Sequence, residues 1–322
     1  MDLRSILVSY ANGIFLKAAD WVYKANSLFE DADYREANNF DVHKDTAHTD
    51  DVASTSRRYN EGVGKGVNPK TQIIAPIAIE ENHLVIDNDM KAMIPDSEQF
   101  LREESSFYVK GVANATARKF WYGNKAIDGQ VGIANIFGTK QKTHVNNQIF
   151  DAGGIVSDGL TSIYAIGWSP MDTFMIYPKG SAGGIRIWKF VSDMINDGTG
   201  KSYQGTAIGH SMRNAPFVKN FRSVYRVANI STQDADLATL RTTIFTLLSQ
   251  IATYIQDSGV LGNICIYMNR TMMKVIRDAR DDKTRYIPGL SESEIGGKKY
   301  LTYEGLPLKV NDFITNAEAQ VQ

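Results

Sequence analysis

The sequence predicts an α+β fold in which helices flank a sheet region, and three observations carry that prediction. Residues 95–122 keep helical spacing of apolar side chains throughout. Residues 145–230 are short β-branched and aromatic runs separated by Gly, Pro, Ser and Asn. From 237 the pattern becomes a helical stripe, a buried strand and a second helix. With 322 residues the chain has room for about two domains, each with its own core.

Leu3, Ile6, Leu7, Tyr10, Ile14, Ala18, Trp21 and Phe29 recur near a period of 3.6, which predicts an amphipathic helix over 3–29 that Asn12-Gly13 can interrupt. From Glu30 to about Lys70 apolar residues thin out, and Gly62, Gly64, Gly66 and Pro69 punctuate the end. A stretch that polar and that long buries little of itself, so it is either disordered or ordered by something outside its own domain. Thr71–Ile79 and His83–Ile86 read as the strand that returns from this excursion. Pro95, Asp96 and Gln99 are start signals for the long helix, Phe100, Leu101, Phe107, Tyr108, Val112, Ala115 and Phe120 mark its apolar face, and Gly123 is its stop.

In the sheet region the predicted strands are Ser162–Trp168, Thr173–Tyr177, Gly184–Phe190 and one long run, Phe217–Ile230. Leu237, Leu240, Ile244, Leu247, Leu248, Ile251 and Ile255 then form a helical stripe ending before Gly259. Asn263–Met268 is a buried strand, Asn269 an N-cap, Arg270–Asp281 a helix, and Lys299–Val310 a hairpin turning at Glu304-Gly305. That α-β-α unit with its hairpin reads as a separate lobe.

Composition excludes several function classes. Lys+Arg 35 against Asp+Glu 36 leaves a net charge of −1, which supplies no global field for gripping nucleic acid or anionic lipid. Cys265 is the only cysteine, so no intrachain disulfide forms and a reducing compartment is the default. The first residues lack a basic segment followed by an apolar core and cleavage site, and no run reaches about 18 apolar residues, so no membrane partner is expected.

Candidate chemistry is sparse. Gly198-Thr199-Gly200-Lys201-Ser202 ends like a phosphate loop, but Ile195 stands where the first glycine belongs and Tyr203-Gln204-Gly205-Thr206 opens no helix. A hairpin turn is the better reading there. His43, Asp45, His48, Asp50 and Asp51 are metal-ligand types in polar, loop-like surroundings, where a solvated loop is expected. Cys265 lies in an apolar strand and packs there as a small hydrophobe. Arg213, Lys219, Arg222 and Arg226 put positive charge along one β-rich segment, either as a solvated face or as contacts to phosphates.

Seven segments, taken in order, carry a resemblance. They are Arg57-Arg58-Tyr59-Asn60-Glu61-Gly62-Val63, Phe120-Trp121-Tyr122-Gly123-Asn124, Phe150-Asp151-Ala152-Gly153-Gly154 with Ser157-Asp158 and Thr161-Ser162-Ile163-Tyr164, and Ile176-Tyr177-Pro178-Lys179-Gly180-Ser181. Arg226-Val227-Ala228-Asn229-Ile230, Tyr267-Met268-Asn269-Arg270 and Glu304-Gly305-Leu306-Pro307-Leu308 complete the set. Together they resemble tailed-bacteriophage major capsid proteins, specifically the podovirus-type major coat family with the Hong Kong 97 capsid fold. The first 45 residues or so match least.

The resemblance implies an amino-terminal arm at 1–40, an extended β-loop at 41–90, a peripheral domain at 91–230 with its spine helix at about 95–122, and an axial domain at 231–322. It implies a coat protein, not an enzyme and without a cofactor, whose copies form pentamers and hexamers around double-stranded DNA. Assembly would take place in the host bacterial cytoplasm. Inter-subunit contacts are expected on the extended loop at Arg57, Arg58, Tyr59, Glu61, Lys65 and Lys70, with Glu103 and Glu104 as candidate spine-helix partners. Arg213, Lys219, Arg222 and Arg226 are the candidate DNA-facing residues. The region before the spine is too short for both an extended loop and a folded scaffolding domain, which implies a separate scaffolding protein. A portal protein and a decoration or cement protein complete the expected partners. The rivals are an encapsulin-like nanocompartment shell and, from another class, a nucleotide-binding or metal-dependent enzyme.

Overall fold

The computed structural model describes residues 26–48, 52, 54–68, 70–139, 148–155, 159–181, 183–189, 193–196, 198–232, 237–260, 262–281, 287, 289–295 and 297–322. The chain makes α1 (Leu28–Asp31) and β1 (Tyr34–Glu36), a ribbon of β2 (Val42–His48) and β3 (Lys70–Pro76), then β4 (Ala78–Asp87). A short α2 (Asn88–Met93) leads into α3 (Ser97–Tyr122), followed by single turns α4 (Lys125–Asp128) and α5 (Ile133–Ile136). Next come β5 (Ile149–Asp151), β6 (Leu160–Trp168), β7 (Thr173–Tyr177), β8 (Ile185–Lys189), β9 (Asp193–Asn196), β10 (Ser202–Val218) and β11 (Val224–Ser231). The last elements are α6 (Leu237–Asp257), β12 (Asn263–Met268), α7 (Arg270–Asp281), β13 (Leu290–Ile295), β14 (Lys298–Tyr303) and β15 (Leu306–Val310). Most of the helix predicted over 3–29 lies outside the described residues.

One 13-stranded sheet organises the molecule, its main path running β13-β14-β15-β12-β6-β7-β10-β4, while β2 and β3 form their own two-stranded ribbon. The middle of the sheet is buried on both faces, so β6 is apolar or small along its whole length rather than alternating. Its Tyr164, Ile166 and Trp168 enter one core with Phe29, Phe120, Trp121 and Tyr267. Its Ile163 and Ala165 enter the other, under Ile244, Leu248, Ile251 and Ile255 of α6. β12 divides in the same way, Cys265 and Tyr267 to the first core and Ile266 and Met268 to the second. Position 230 therefore falls inside a continuous sheet: β11 borders β6 on one side and β12 borders it on the other.

The helices start and stop for local reasons. Asp96 caps α3 by accepting from the N–H of Gln99 at 3.1 Å, and the 26 residues that follow span about 39 Å. Leu101, Val112 and Phe120 are buried as the spacing predicts, whereas Phe107 is 63% exposed. Asn269 caps α7, accepting from Met272 at 2.9 Å. Glu304 and Gly305, with φ of 50° and 82°, make the tight turn between β14 and β15.

Two strand predictions change. The long Phe217–Ile230 run is two strands, broken by a 3-10 turn at Phe221–Ser223 that Asn220 caps. β10, with 17 residues, reaches back to Ser202 and carries β4, β8 and β9 along its length. The 198–202 segment accordingly joins β9 to β10 as a hairpin turn, with Asn196 paired to Ser202 and a strand where a phosphate loop needs a helix.

Candidate inter-subunit site

The ribbon is built outward from an apolar foot. Ile73, Ala75 and Ile77 pack against Phe174, Ile176, Ala215 and Phe217 of β7 and β10. The His43 ring meets Phe217 edge-on at 4.5 Å, and its Nδ1 accepts from the Asn38 N–H at 3.2 Å. Burial holds the His43 imidazole below its ordinary pKa, against the pull of Asp45. Asp45 meets the Lys219 ammonium at 2.9 Å. Burial alone would raise its carboxyl, but the Lys219 bond, the Thr46 N–H and the Lys219 charge together outweigh burial and leave it below the usual value. His43 and Asp45 thus sit on a strand rather than in a solvated loop, each with a structural partner. Asp50 and Asp51, and the side chain of His48, lie outside the described residues. Among the described residues no three His, Cys, Asp or Glu side chains gather as a metal site.

Beyond the foot, every described residue from 54 to 68 is exposed. Arg57 donates to the Glu61 carbonyl at 3.2 Å, and the Arg58 N–H donates to the Glu61 carboxylate at 2.9 Å. Asn60, at φ 67°, supplies the left-handed step of this turn, a conformation asparagine tolerates better than most residues. Tyr59 projects fully into solvent, Val63 and Val67 are 52% and 83% exposed, and Lys65 and Lys70 are exposed as well. The structure therefore gathers Arg57, Arg58 and Glu61 into one turn and leaves Tyr59, Lys65 and Lys70 around it. Glu103 on α3 is exposed and accepts from Gln99 at 2.9 Å; Glu104 is half-buried. Among the described residues neither makes a hydrogen bond or ion pair to the tip.

The four basic residues of the β-rich segment do not form a common face. Arg222 is exposed and Arg213 half-buried, while Lys219 is committed to Asp45. Arg226 corrects the sequence reading outright, since it is 3% exposed and cannot face DNA. Its guanidinium donates to Glu318 at 2.7 Å, to Ser162 at 3.0 Å and to the Phe137 carbonyl at 2.7 Å. Burial works against its charge, and Tyr164 and Glu318 more than offset that. Burial pushes the hydroxyls of Tyr122 and Tyr164 up, helped at Tyr122 by its neighbours Tyr164 and Glu318 and opposed at Tyr164 by the Arg226 charge, so both stay protonated around Glu318.

A second buried pair, Asp31 with Lys309, ties α1 to β15, and Tyr267 donates to Asp31 at 2.6 Å. Burial raises the Asp31 carboxyl against the pull of Lys309. For Lys309 burial opposes the charge, but Asp31 prevails and raises its pKa. Sequence reasoning missed both pairs. The available signal for the first was a lone arginine in an otherwise apolar strand; Glu318, in a polar tail, gave none.

Against known proteins, a family model described as major capsid protein GP7 matches residues 11–322. No curated protein sequence matches. Among solved structures, a chain of the bacteriophage Epsilon15 structure superposes with a TM-score of 0.65 at 23% identity, covering 90% of this chain and 88% of that one. The bacteriophage JBD30 capsid superposes with a TM-score of 0.52 at 8% identity, covering 90% of each chain. By the family match over nearly its whole length the chain belongs to the major capsid protein GP7 family, with an α+β fold of the Hong Kong 97 type.

Proposed function

We propose that this coat protein closes an icosahedral phage head by laying its ribbon tip, residues 54–68, over a neighbouring copy within pentamers and hexamers. The observation that carries the reading is the exposed tip itself: it has apolar and basic side chains, no core of its own, and a foot anchored on β7 and β10. Head-to-tail contacts of that kind close into rings because the rotation between copies closes. In this assignment 1–40 is the amino-terminal arm, 41–90 the extended loop, 91–230 the peripheral domain and 231–322 the axial domain. Double-stranded DNA is held loosely, with Arg222 and Arg213 as the remaining contacts. A separate scaffolding protein, a portal and a cement protein are the further partners, and assembly occurs in the bacterial cytoplasm. Among the described residues no helix is long and apolar enough to cross a membrane.

The test is Arg57→Glu combined with Arg58→Glu. Both side chains are exposed, so melting should stay at the wild-type value while closed shells disappear from electron micrographs. An exposed ion pair is worth only about 0–1 kcal/mol, but a shell repeats it in every subunit. Normal particles at wild-type yield would rule out the tip as a clamp.

A further inference from the structure

We infer that residues 62–67 add as an extra strand to the free edge of β4 in a second copy of this chain, with their glycine side turned toward that copy's α3. The inference rests on the docking of the tip proposed above and names the strand and the face that dock.

The first observation is a set of glycines for which the described residues show no use within the chain. In Gly62-Val63-Gly64-Lys65-Gly66-Val67 an extended backbone sends Val63, Lys65 and Val67 to one side and leaves the other side bare. None of these three glycines has a positive φ. A Cβ built on Gly62 or Gly64 meets nothing within 4 Å. Glycine costs conformational entropy in an extended segment, and at Gly62 and Gly64 no left-handed turn and no neighbour among the described residues repays it. A close approach from outside does. The backbone of 62–67 also makes no hydrogen bond to another described residue, so its donors and acceptors are open to a partner.

The second observation is an edge. β4 pairs with β10 along ten residues, from Ala78 to Asp87, and no strand borders its other side among the described residues. It carries no proline, one of the devices that keep long edges from pairing. A peptide that adds a strand gains affinity from main-chain bonds and specificity from alternate side chains.

The two surfaces match. Ile79, Glu81, His83 and Val85 form the exposed row of β4, with Ile79 54% and Val85 39% exposed. Placing Lys65 beside Glu81 brings one valine of the tip beside Ile79 and the other beside His83, whichever direction the strand runs. The glycine side then lies on the face of β4 that Leu84 and Ile86 share with Leu101 of α3. A strand without side chains on that face fits close beside a helix already filling it.

Hydrogen exchange on the wild-type full-length chain is the first test. The β4 amides that point away from β10 should exchange freely before assembly and slowly in shells; equal rates in both states would overturn the strand addition. The second test is Lys65→Cys with Glu81→Cys. The native Cys265 is buried, with its thiol pushed up to about 12 by burial, so oxidised shells should give a covalent ladder of chains from the engineered pair only. The third is Gly62→Val with Gly64→Val, which should leave monomer melting unchanged and abolish closed shells. Shells without a ladder, or valine variants that assemble normally, would refute the inference. If Arg57→Glu with Arg58→Glu still blocks assembly in that case, the tip docks elsewhere; if that charge variant assembles too, the docking reading itself falls.

Discussion

Arg226 stands in β11 among Val224, Tyr225, Val227 and Ala228, all buried, and its charge is tolerable because Glu318 returns from the far end of the sequence to meet it, while Ser162 and the Phe137 carbonyl accept its other N–H groups. Arg226→Met should therefore cost roughly 3–5 kcal/mol in urea denaturation, because a buried carboxylate loses its partner. Replacing Glu318 by Gln in the same variant should recover part of that loss. His43 sets a pH dependence at the ribbon foot. Its folded pKa lies below the ordinary value of 6.5, so the folded state binds fewer protons there than the unfolded one. Its contribution is present above about 6.5 and fades as pH falls toward the depressed value. Protonation also turns Nδ1 from acceptor to donor and breaks the bond from Asn38. The Asn38 amide should gain exchange, relative to its intrinsic rate, as pH drops through this window, and His43→Phe should remove the dependence of melting on pH there.

Elements with a clear period or cap were legible from the residues alone. The α6 stripe, the Asn269 cap of α7, the bounds of β7 and β12, and the Glu304-Gly305 turn all stand where spacing puts them. β10 did not show, for a physical reason: buried His210, Ser211 and Asn214 and the glycines 205 and 209 interrupt any alternation. Gly209 is needed because the Trp188 ring lies 2.4 Å from where its Cβ would stand. Such cross-strand fits cannot be read along a sequence. Within α6 the stripe also hid a gradient. Leu248 is fully buried and Leu247 only half-buried. Leu248→Ala should cost about 2–5 kcal/mol and Leu247→Ala clearly less, by chemical denaturation of the full chain.

At the scale of the molecule, the polar excursion was visible because 30–70 lacks the apolar residues to bury itself, and its tip residues are as exposed as that implies. The unity of the sheet was not visible, since the pairing of β12 with β6 joins residues about a hundred positions apart. Both cores share these two strands, so heating should give one cooperative transition by circular dichroism and tryptophan fluorescence alike. Two separated transitions would mean that 231–322 melts as an independent lobe. The junction of ribbon and sheet has a mechanical consequence. β3 runs into β4 with only Ile77 between them, so tension applied at the tip reaches β4 along its length. The rungs joining β4 to β10 over ten residues are then loaded in shear, all at once, rather than peeled open singly. A subunit tugged by its neighbours as a filled container swells would transmit that force straight into its largest sheet.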